Sequence, residues 1–329
     1  MDYPEIKKIL TYPKNIVIIS HRNPDGDAIG SSMGLRFFLE KDNHYIKVIY
    51  PSDYPSTFDF IEGINECIIF DNDQKESKEQ IEKADIIFCL DFNSLDRIDK
   101  LGLLVQESKA KLIMIDHHLD PEPFADFMLS DPRASSTCEL IYEFVDGLGE
   151  TSKLDKNTSE ILFIGLITDT GSFRYSTSRR TYEVAAELKD KDVDDTKLQD
   201  HIFNSMSPKQ ISLLGHCLAN RLEILNEYHT GLIYLNKQDY EDFDIQRGDT
   251  EGIVNYILMI KGITIAAFIT EQPTIVKLSL RSKGDISVQD LARNHFNGGG
   301  HKNASGGAVY GTLDGVIKKF KSVIPDYAS

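Results

Sequence analysis

One segment, His21 to Gly30 with the sequence HRNPDGDAIG, constrains this chain more than any other. It follows the apolar, β-branched run Ile16–Ile19 and leads into a helical pattern. In open α/β sheets, ligands bind where a strand ends and the next helix begins. His21, Asp25 and Asp27 therefore place three potential metal ligands at a ligand-binding junction. The structural alternative is a surface turn in which Asp25 or Asp27 caps the helix.

Two further motifs follow strand-like runs in the same way. Asp91 comes directly after one apolar run, and the tripeptide Asp116-His117-His118 comes directly after another. A lone aspartate at such a position is most often a cap, but three strand ends that deliver Asp or His to one sheet edge are hard to explain structurally. An unpaired carboxylate cluster repels itself, and bound cations relieve that repulsion.

Asp169 lies at the end of an apolar helical run, 161–167, and precedes Gly171. A carboxylate at the C-terminus of a helix opposes the helix dipole, so it needs a compensating partner. A metal ion would supply one. The alternative is a polar helix end in which Gly171 is the left-handed residue that follows the helix.

Together these motifs predict one metal site with four carboxylates, two imidazoles and no thiolate. Such a set suits hard or borderline divalent ions better than structural zinc. We predict two ions, Mn²⁺ first, with Mg²⁺ and Co²⁺ as alternatives, because paired ions suit phosphoester hydrolysis. The predicted metal ligands are His21, Asp25, Asp27, Asp91, His117 and Asp169.

The wider pattern predicts an α/β protein of two domains. Strand-like runs alternate with helical patterns through residues 1–190, which indicates a doubly wound, mainly parallel sheet. Residues 191–228 are predicted as a helical linker, including a helix from Ser207 to about Leu225. Residues 229–329 are predicted as a smaller α/β domain with a mixed sheet, including a helix over 250–260.

A glycine-rich run in the second domain predicts substrate binding. Five glycines within 298–307 predict a loop that exposes backbone N–H groups to a phosphate, although a flexible turn is an equal alternative. Arg281, at the end of a strand-like run, is a candidate phosphate clamp; an exposed strand-end charge is the alternative. The predicted substrate contacts are Arg281, Gly298, Gly299, Gly300 and His301.

The formal net charge of −16 limits the partners. Proteins that grip a duplex carry a Lys/Arg footprint, so the charge predicts short single-stranded RNA or nucleotides and no long duplex. No apolar run approaches the roughly 18–20 residues that span a bilayer. The first residues lack the apolar core of a signal peptide, and the four cysteines form no CxxC pair. We expect a cytoplasmic protein without membrane contact, as a monomer or a homodimer.

Taken in order, the motifs resemble the DHH phosphoesterase family, which is named for the tripeptide Asp116-His117-His118. The segment 298–306 resembles the glycine-rich motif of the associated DHHA1 domain. The resemblance covers about Asn15 to Gly311, and its five ordered motifs are highly specific. It implies a DHH metal domain followed by a DHHA1 substrate-binding domain.

The resemblance also implies a role for each site residue. One metal would be held by His21, Asp25 and Asp91. The other would be held by Asp27, Asp91, His117 and Asp169, so that Asp91 bridges the two. Asp116 would orient a neighbouring side chain, and His118 would face the substrate phosphate as a catalytic residue together with Asp91.

Within the family, the chain is most similar to the nanoRNase/pAp-phosphatase type. This type shortens oligoribonucleotides of a few residues (nanoRNA) to mononucleotides and converts 3′-phosphoadenosine 5′-phosphate (pAp) to AMP. One alternative is a phosphodiesterase for cyclic di-AMP or pApA. Another is a catalytically silent nucleotide-binding sensor of the same fold, which would be marked by loss of a metal ligand.

Overall fold

The computed structural model describes residues 1–246 and 248–328 of the 329-residue chain. The chain divides into two compact units, Met1–Ser205 and Met206–Ser329, which we call the first and the second unit. Residues 191–228, predicted as a helical linker, contribute to both units. None of the helices in these two described ranges combines the length and the apolar character that a membrane span requires.

The first unit is built on a sheet of six parallel strands. The strands are β1 (Asn15–Ser20), β2 (Tyr45–Tyr50), β3 (Ile68–Ile69), β4 (Ile86–Leu90), β5 (Lys111–Asp116) and β6 (Phe127–Ser130). Their order across the sheet is β3-β2-β1-β4-β5-β6, and every neighbouring pair is parallel. The predicted parallel α/β fold is confirmed.

Helices cover the two faces of this sheet. They are α1 (Tyr3–Ile9), α2 (Gly26–Glu40), α3 (Gln74–Lys83), α4 (Lys100–Gln106), α5 (Thr137–Gly147), α6 (Lys156–Asp169), α7 (Arg179–Lys189) and α8 (Asp195–Phe203). Alternate residues of β1 enter different apolar cores: Ile16 and Ile18 pack into one, Val17 and Ile19 into the other. Burial on both faces explains why the strands are continuous apolar runs.

The strand order reverses between β1 and β4. From β1 the chain proceeds outward through β2 and β3, whereas β4, β5 and β6 extend in the other direction. Such a reversal opens a crevice at the carboxyl ends of the two central strands. His21 and Asp91 are the residues that directly follow these strands, so the fold brings both to this crevice.

The second unit has a mixed sheet. Its elements are α9 (Pro208–His216), β7 (Leu222–Leu225), β8 (Thr230–Leu235), α10 (Lys237–Asp242), α11 (Ile253–Ile257), β9 (Ile265–Glu271), β10 (Val276–Ser282), α12 (Val288–His295), β11 (Gly299–His301), β12 (Ala304–Val309) and α13 (Leu313–Val323). The order is β11-β12-β10-β9-β8-β7, in which only β8 and β9 pair in parallel. The predicted mixed sheet is confirmed.

Two predicted helices are shorter than expected. The helix predicted from Ser207 to about Leu225 ends at His216, continues as a π-helical segment over Cys217–Arg221, and gives way to β7. Local sequence favours a helix there, but pairing with β8 overrides that preference. The helix predicted over 250–260 occupies only Ile253–Ile257 and follows Gly252 in a left-handed conformation.

The prediction of a loop at the glycine-rich run is wrong, because this run forms the antiparallel hairpin of β11 and β12. A Cβ added at Gly298 would overlap the carbonyl oxygen of Gly306, and one at Gly307 would lie 2.7 Å from the carbonyl oxygen of Phe296. These glycines permit close packing of the backbone. They do not mark a flexible loop.

Candidate metal centre

Parallel strands bring the predicted metal ligands of the first unit to one sheet edge. His21 follows β1, Asp91 follows β4, and Asp116 ends β5 with His117 after it. Helices supply the rest: Asp25 and Asp27 lie at the start of α2, and Asp169 is the last residue of α6. The structure thus brings all six predicted ligands together.

His21, Asp25 and Asp91 form one group, the His21 cluster, in which ligand atoms lie within 4.8 Å of one another. His21 Nε2 lies 3.3 Å from Asp91 Oδ2 and 3.8 Å from Asp25 Oδ1. The Nδ1 atom of His21 lies 2.9 Å from the carbonyl oxygen of Arg22. Because a carbonyl oxygen only accepts, Nδ1 carries a proton and Nε2 faces the two carboxylates.

Asp25 also caps the N-terminus of α2, as the structural alternative to metal binding predicts. Its Oδ1 accepts hydrogen bonds from the N–H groups of Asp27 and Ala28, each at 3.1 Å. The cap fixes the direction of the carboxylate at the first turn of α2. Capping and metal binding are therefore compatible roles for one side chain.

Asp27, His117 and Asp169 form a second group, the His117 cluster, also with ligand atoms within 4.8 Å. His117 Nε2 lies 3.3 Å from Asp169 Oδ2 and 3.8 Å from Asp27 Oδ2. Its Nδ1 lies 3.3 Å from the carbonyl oxygen of Ala134. This ring is therefore oriented as the His21 ring is, with Nε2 facing the carboxylates.

Asp91 faces both clusters. Its Oδ2 points to His21, and its Oδ1 lies 3.6 Å from His117 Nε2. The side chain is buried, and the backbone of Asp91 has a positive φ of 63°. Non-glycine residues rarely adopt this left-handed conformation, and aspartate and asparagine are enriched among those that do.

Asp116 and His118 lie beside Asp91. Asp116 Oδ1 accepts a hydrogen bond of 2.6 Å from His118 Nδ1, which itself lies 3.7 Å from Asp91 Oδ1. Asp116 is fully buried, and among the described residues its Oδ2 has no hydrogen-bond partner. With Nδ1 committed to Asp116, the His118 ring is fixed in orientation.

The two clusters differ in their electrostatics. In the His21 cluster, burial opposes ionisation of the carboxyls, but His21 holds the pKa of Asp91 below its usual value and that of Asp25 well below it. Burial would lower the pKa of His21, yet these two carboxylates raise it well above the ordinary value. The protonated His21 therefore stabilises the ionised forms of both carboxylates in this cluster.

In the His117 cluster, negative charge is in excess. Burial and the neighbouring carboxylates Asp91 and Asp169 raise the pKa of Asp27 well above its ordinary value. Burial is also the main cause that raises the pKa of Asp169 to about 7. Despite its own burial, His117 has a pKa raised to about 9 by the surrounding aspartates. One imidazole does not neutralise this group.

The residues fit divalent cations. The donor atoms are carboxylate oxygens and imidazole Nε2 atoms, which suit Mn²⁺ or Mg²⁺. The raised pKa values of Asp27 and Asp169 show that the folded chain disfavours their ionised forms when no cation is bound. A bound cation would reverse that preference.

The start of α5 also belongs to this centre, although no motif in the sequence predicts it. The N–H groups of Thr137 and Cys138 donate to Asp27 Oδ2 and Oδ1 at 2.6 and 2.9 Å. The Thr137 hydroxyl donates to Asp91 Oδ1 at 3.0 Å. The signal in the sequence was a helix start, with Ser136 as the cap; nothing in it indicated which carboxylates the helix would meet.

The predicted substrate-binding residues lie together in the second unit. Arg281 in β10 is opposite Ala304 in β12, which is opposite His301 in β11. Residues directly opposite on antiparallel strands point to the same face, so Arg281 and His301 flank the small Ala304. The Arg281 guanidinium also donates to the carbonyl oxygen of Leu280 at 3.0 Å.

The next pairing position on this face carries only small residues. Ser279 is opposite Gly306, which is opposite Gly299. A Cβ added at Gly299 would meet no described atom within 4 Å. In contrast, a Cβ at Gly300 would lie 2.6 Å from the carbonyl oxygen of Ala304. Gly298 and Gly300 are therefore required by packing, whereas Gly299 is not.

Comparisons with known proteins agree with this architecture. The family model described as DHH family, N-terminal domain, matches residues 15–166, and the DHHA1 domain matches residues 230–328. The chain is 29% identical over 309 residues to the bifunctional oligoribonuclease and PAP phosphatase NrnA of Bacillus subtilis, and the match covers 93% of each chain. It is 26% identical to the cyclic-di-AMP phosphodiesterase PdeA of Listeria monocytogenes, covering 90% of this chain and 45% of that protein.

Solved structures share the fold. An exopolyphosphatase-related protein from Bacteroides fragilis superposes with a TM-score of 0.95 at 38% identity, covering 99% of this chain and 96% of that one. RecJ of Thermus thermophilus, solved in complex with Mn²⁺, superposes with a TM-score of 0.56 at 14% identity and is covered over 54% of its length. The matched domains and the relatives that align over nearly the whole chain show that the chain belongs to the DHH family. It has a DHH N-terminal domain followed by a DHHA1 domain.

Proposed function

We propose that this protein is a two-metal phosphoesterase that cleaves short oligoribonucleotides to mononucleotides and converts pAp to AMP. The observation that carries the proposal is the pair of Asp/His clusters at the switch point of a parallel sheet, with Asp91 facing both of them. The name of the Bacillus subtilis relative gives both activities. The cluster chemistry suits phosphoester hydrolysis.

The proposed ligands divide as the clusters do. The His21 cluster would hold one ion, and the His117 cluster together with Asp91 would hold the other. Mn²⁺ is the proposed ion, with Mg²⁺ and Co²⁺ as alternatives, because the donors are oxygen and imidazole and because RecJ binds Mn²⁺ on the same fold. When bound, such a pair of ions activates a water molecule and neutralises charge on the phosphate.

His118 is the proposed catalytic residue beside the ions. Its Nδ1 donates to Asp116 Oδ1, so its Nε2 is directed away from that buried carboxylate. We propose that Nε2 faces the substrate phosphate and supplies a proton to the leaving oxygen. Asp116 keeps the ring in one orientation through this hydrogen bond, as carboxylates do for catalytic histidines.

The second unit is proposed to bind the part of the substrate away from the scissile bond. In a chain of net charge −16, a nucleotide phosphate needs local cations. Arg281 and His301 flank Ala304 on one sheet face, and Gly299 beside them lacks a side chain without any packing reason. This face combines cationic donors with a small-residue surface that a flat base or ribose can approach.

Cyclic di-AMP is the second candidate substrate. The name of the Listeria monocytogenes relative states that activity, and that relative is more than twice as long as the matched region. The silent-sensor alternative is disfavoured because all six predicted ligands are present and converge. Similarity to the B. subtilis relative over 93% of both chains favours nanoRNA and pAp.

A turnover panel tests the proposal. Purified protein is assayed with pAp, pApA, a five-residue oligoribonucleotide and cyclic di-AMP, each with Mn²⁺, with Mg²⁺ and with a chelator. We expect metal-dependent release of AMP from pAp and of mononucleotides from the RNA. Faster hydrolysis of cyclic di-AMP than of pAp and RNA would favour the second candidate. No turnover of any of the four substrates with either metal would overturn the phosphoesterase proposal.

A further inference from the structure

The first residue of α5 connects the two clusters. Thr137 is fully buried, its N–H donates to Asp27 Oδ2, and its hydroxyl donates to Asp91 Oδ1. Asp27 belongs to the His117 cluster, and Asp91 is the carboxylate that faces both clusters. One residue therefore contacts carboxylates from two different motifs, Asp27 through its backbone N–H and Asp91 through its side chain.

We infer that Thr137 is a positioning residue that fixes the carboxylate of Asp91 so that each of its oxygens faces one metal position. This inference rests on the proposed two-metal function. It adds a determinant of metal affinity that lies outside the six ligands and outside the glycine-rich motif.

The orientation of the Asp91 carboxylate is otherwise weakly determined. Rotation about the bond to a carboxylate is soft, because this torsion has broad, roughly twofold preferences. Here Oδ2 lies 3.3 Å from His21 Nε2 and Oδ1 lies 3.6 Å from His117 Nε2. The Thr137 hydroxyl holds Oδ1 at 3.0 Å, and its β-branched side chain has few alternative rotamers. The hydroxyl thus selects one plane for the carboxylate.

The hydrogen bond is compatible with metal binding. A carboxylate oxygen has two lone pairs, so Asp91 Oδ1 can accept from the hydroxyl and still bind a cation. The same holds for Asp27, whose oxygens accept from the N–H groups of Thr137 and Cys138. Removal of a side chain that orients a metal ligand through a hydrogen bond typically lowers metal affinity by about 10- to 100-fold.

Three substitutions isolate the hydroxyl. Thr137→Val keeps the shape and the backbone N–H but removes the donor to Asp91. Thr137→Ser restores a hydroxyl. Thr158→Val is the matched control, because Thr158 is also fully buried near a helix start and its hydroxyl donates to a carboxylate, Asp155, at 2.7 Å, outside both clusters.

The measurement is Mn²⁺ binding by calorimetry on the full chain, with unfolding in a chelator recorded for every variant. We expect Thr137→Val to weaken Mn²⁺ binding by about 10- to 100-fold. Thr137→Ser should stay within a few-fold of wild type, and Thr158→Val should bind Mn²⁺ as wild type does. Turnover of pAp by Thr137→Val should recover as Mn²⁺ is raised, which a general folding defect would not do.

Each outcome decides the inference. Equal Mn²⁺ affinity in Thr137→Val and Thr158→Val overturns it, and so does failure of Thr137→Ser to recover affinity. If Thr137→Val does not fold, the Mn²⁺ affinity of Thr137→Ala is compared with that of Thr137→Ser, and equal affinities overturn the inference. Wild-type protein that binds Mn²⁺ but cleaves no substrate overturns the proposed function and leaves the affinity test intact. Wild-type protein that binds no Mn²⁺ overturns both.

Discussion

The carboxyl edge of the first sheet and the β11–β12 hairpin of the second sheet are built on opposite principles. At the first sheet, side chains define the site: aspartates and histidines, most of them buried, converge in the two clusters. At the hairpin, the absence of side chains defines the structure, because Gly298 and Gly307 stand where a Cβ would strike a neighbouring backbone. Substitution in the first region therefore tests chemistry, whereas substitution in the second tests either packing or access.

This difference explains why the Asp/His motifs predict a chemical role more clearly than the glycine-rich run does. Asp and His at three strand ends have few structural explanations together, so their types alone predicted a metal site. Glycine has several explanations, including flexibility, close backbone approach and space for a ligand.

The largest expected effect is at the shared carboxylate. Asp91→Asn removes the charge but keeps a residue that tolerates the left-handed backbone at this position. We expect kcat on pAp with saturating Mn²⁺ to fall by on the order of 10³-fold or more, because both metal positions depend on Asp91.

The matched control for this change is Asp85→Asn. Asp85 directly precedes β4, whereas Asp91 directly follows it. The Asp85 carboxylate accepts a hydrogen bond from the N–H of Asn15 at the amino ends of the strands, away from the two clusters. Its kcat should stay close to wild type. Near wild-type kcat in Asp91→Asn would rule out a shared two-metal centre.

A smaller effect is expected at the cationic residues of the second sheet. Arg281→Ala or His301→Ala should lower kcat/KM for pAp and dinucleotides by about 10- to 100-fold, the value of a charge-assisted bond to phosphate. Hydrolysis of bis-p-nitrophenyl phosphate, which lacks a nucleotide, should change little.

Lys277→Ala is the control for Arg281→Ala. Lys277 is exposed and lies four residues before Arg281 on β10, so both side chains point to the same face of the sheet. It should leave both activities unchanged. Equal losses on nucleotide and artificial substrates in Arg281→Ala would place this residue at the metal centre or in folding, and the division of labour between the two sheets would have to be abandoned.

Two neighbouring glycines test the distinction between packing and open space. Gly298→Ala should lower the free energy of unfolding by about 1–3 kcal/mol, because the added methyl group overlaps the Gly306 carbonyl oxygen. Gly299→Ala should change it by less than about 1 kcal/mol, because its Cβ meets no described atom within 4 Å. Urea unfolding measures both, and equal destabilisation would contradict the packing assignment.

The smallest effect concerns the excess negative charge. Burial raises the pKa of Asp169 to about 7, so the folded chain binds this proton more tightly than the unfolded chain, in which an aspartate has a pKa near 3.9. Without metal, stability should therefore rise as the pH falls from about 7 towards 4.

Asp169→Asn removes this carboxyl and should stabilise the chelated protein at pH 8 by on the order of 1 kcal/mol, with a weaker dependence on pH. Thermal unfolding in a chelator across this pH range measures the change. A less stable variant, with wild-type pH dependence, would show that the ionised carboxylate is not in excess.

The sequence predicted the first sheet and its site better than the elements that depend on distant pairing. The apolar runs of β4 and β5 are buried on both faces, so their pattern alone reveals them. β7 was predicted as helix because its pairing with β8 is not encoded locally. Thr137 was missed for the same reason: its partners, Asp27 and Asp91, lie 110 and 46 residues away.

The left-handed backbone of Asp91 also bears on how this fold changes over evolutionary time. At φ 63°, aspartate, asparagine and glycine are the residues that fit with little strain. Asparagine differs from aspartate by a single base in the codon. A lineage can thus lose the shared charge in one mutational step while keeping the folded backbone, which gives a short path from a hydrolase to a nucleotide-binding protein without turnover.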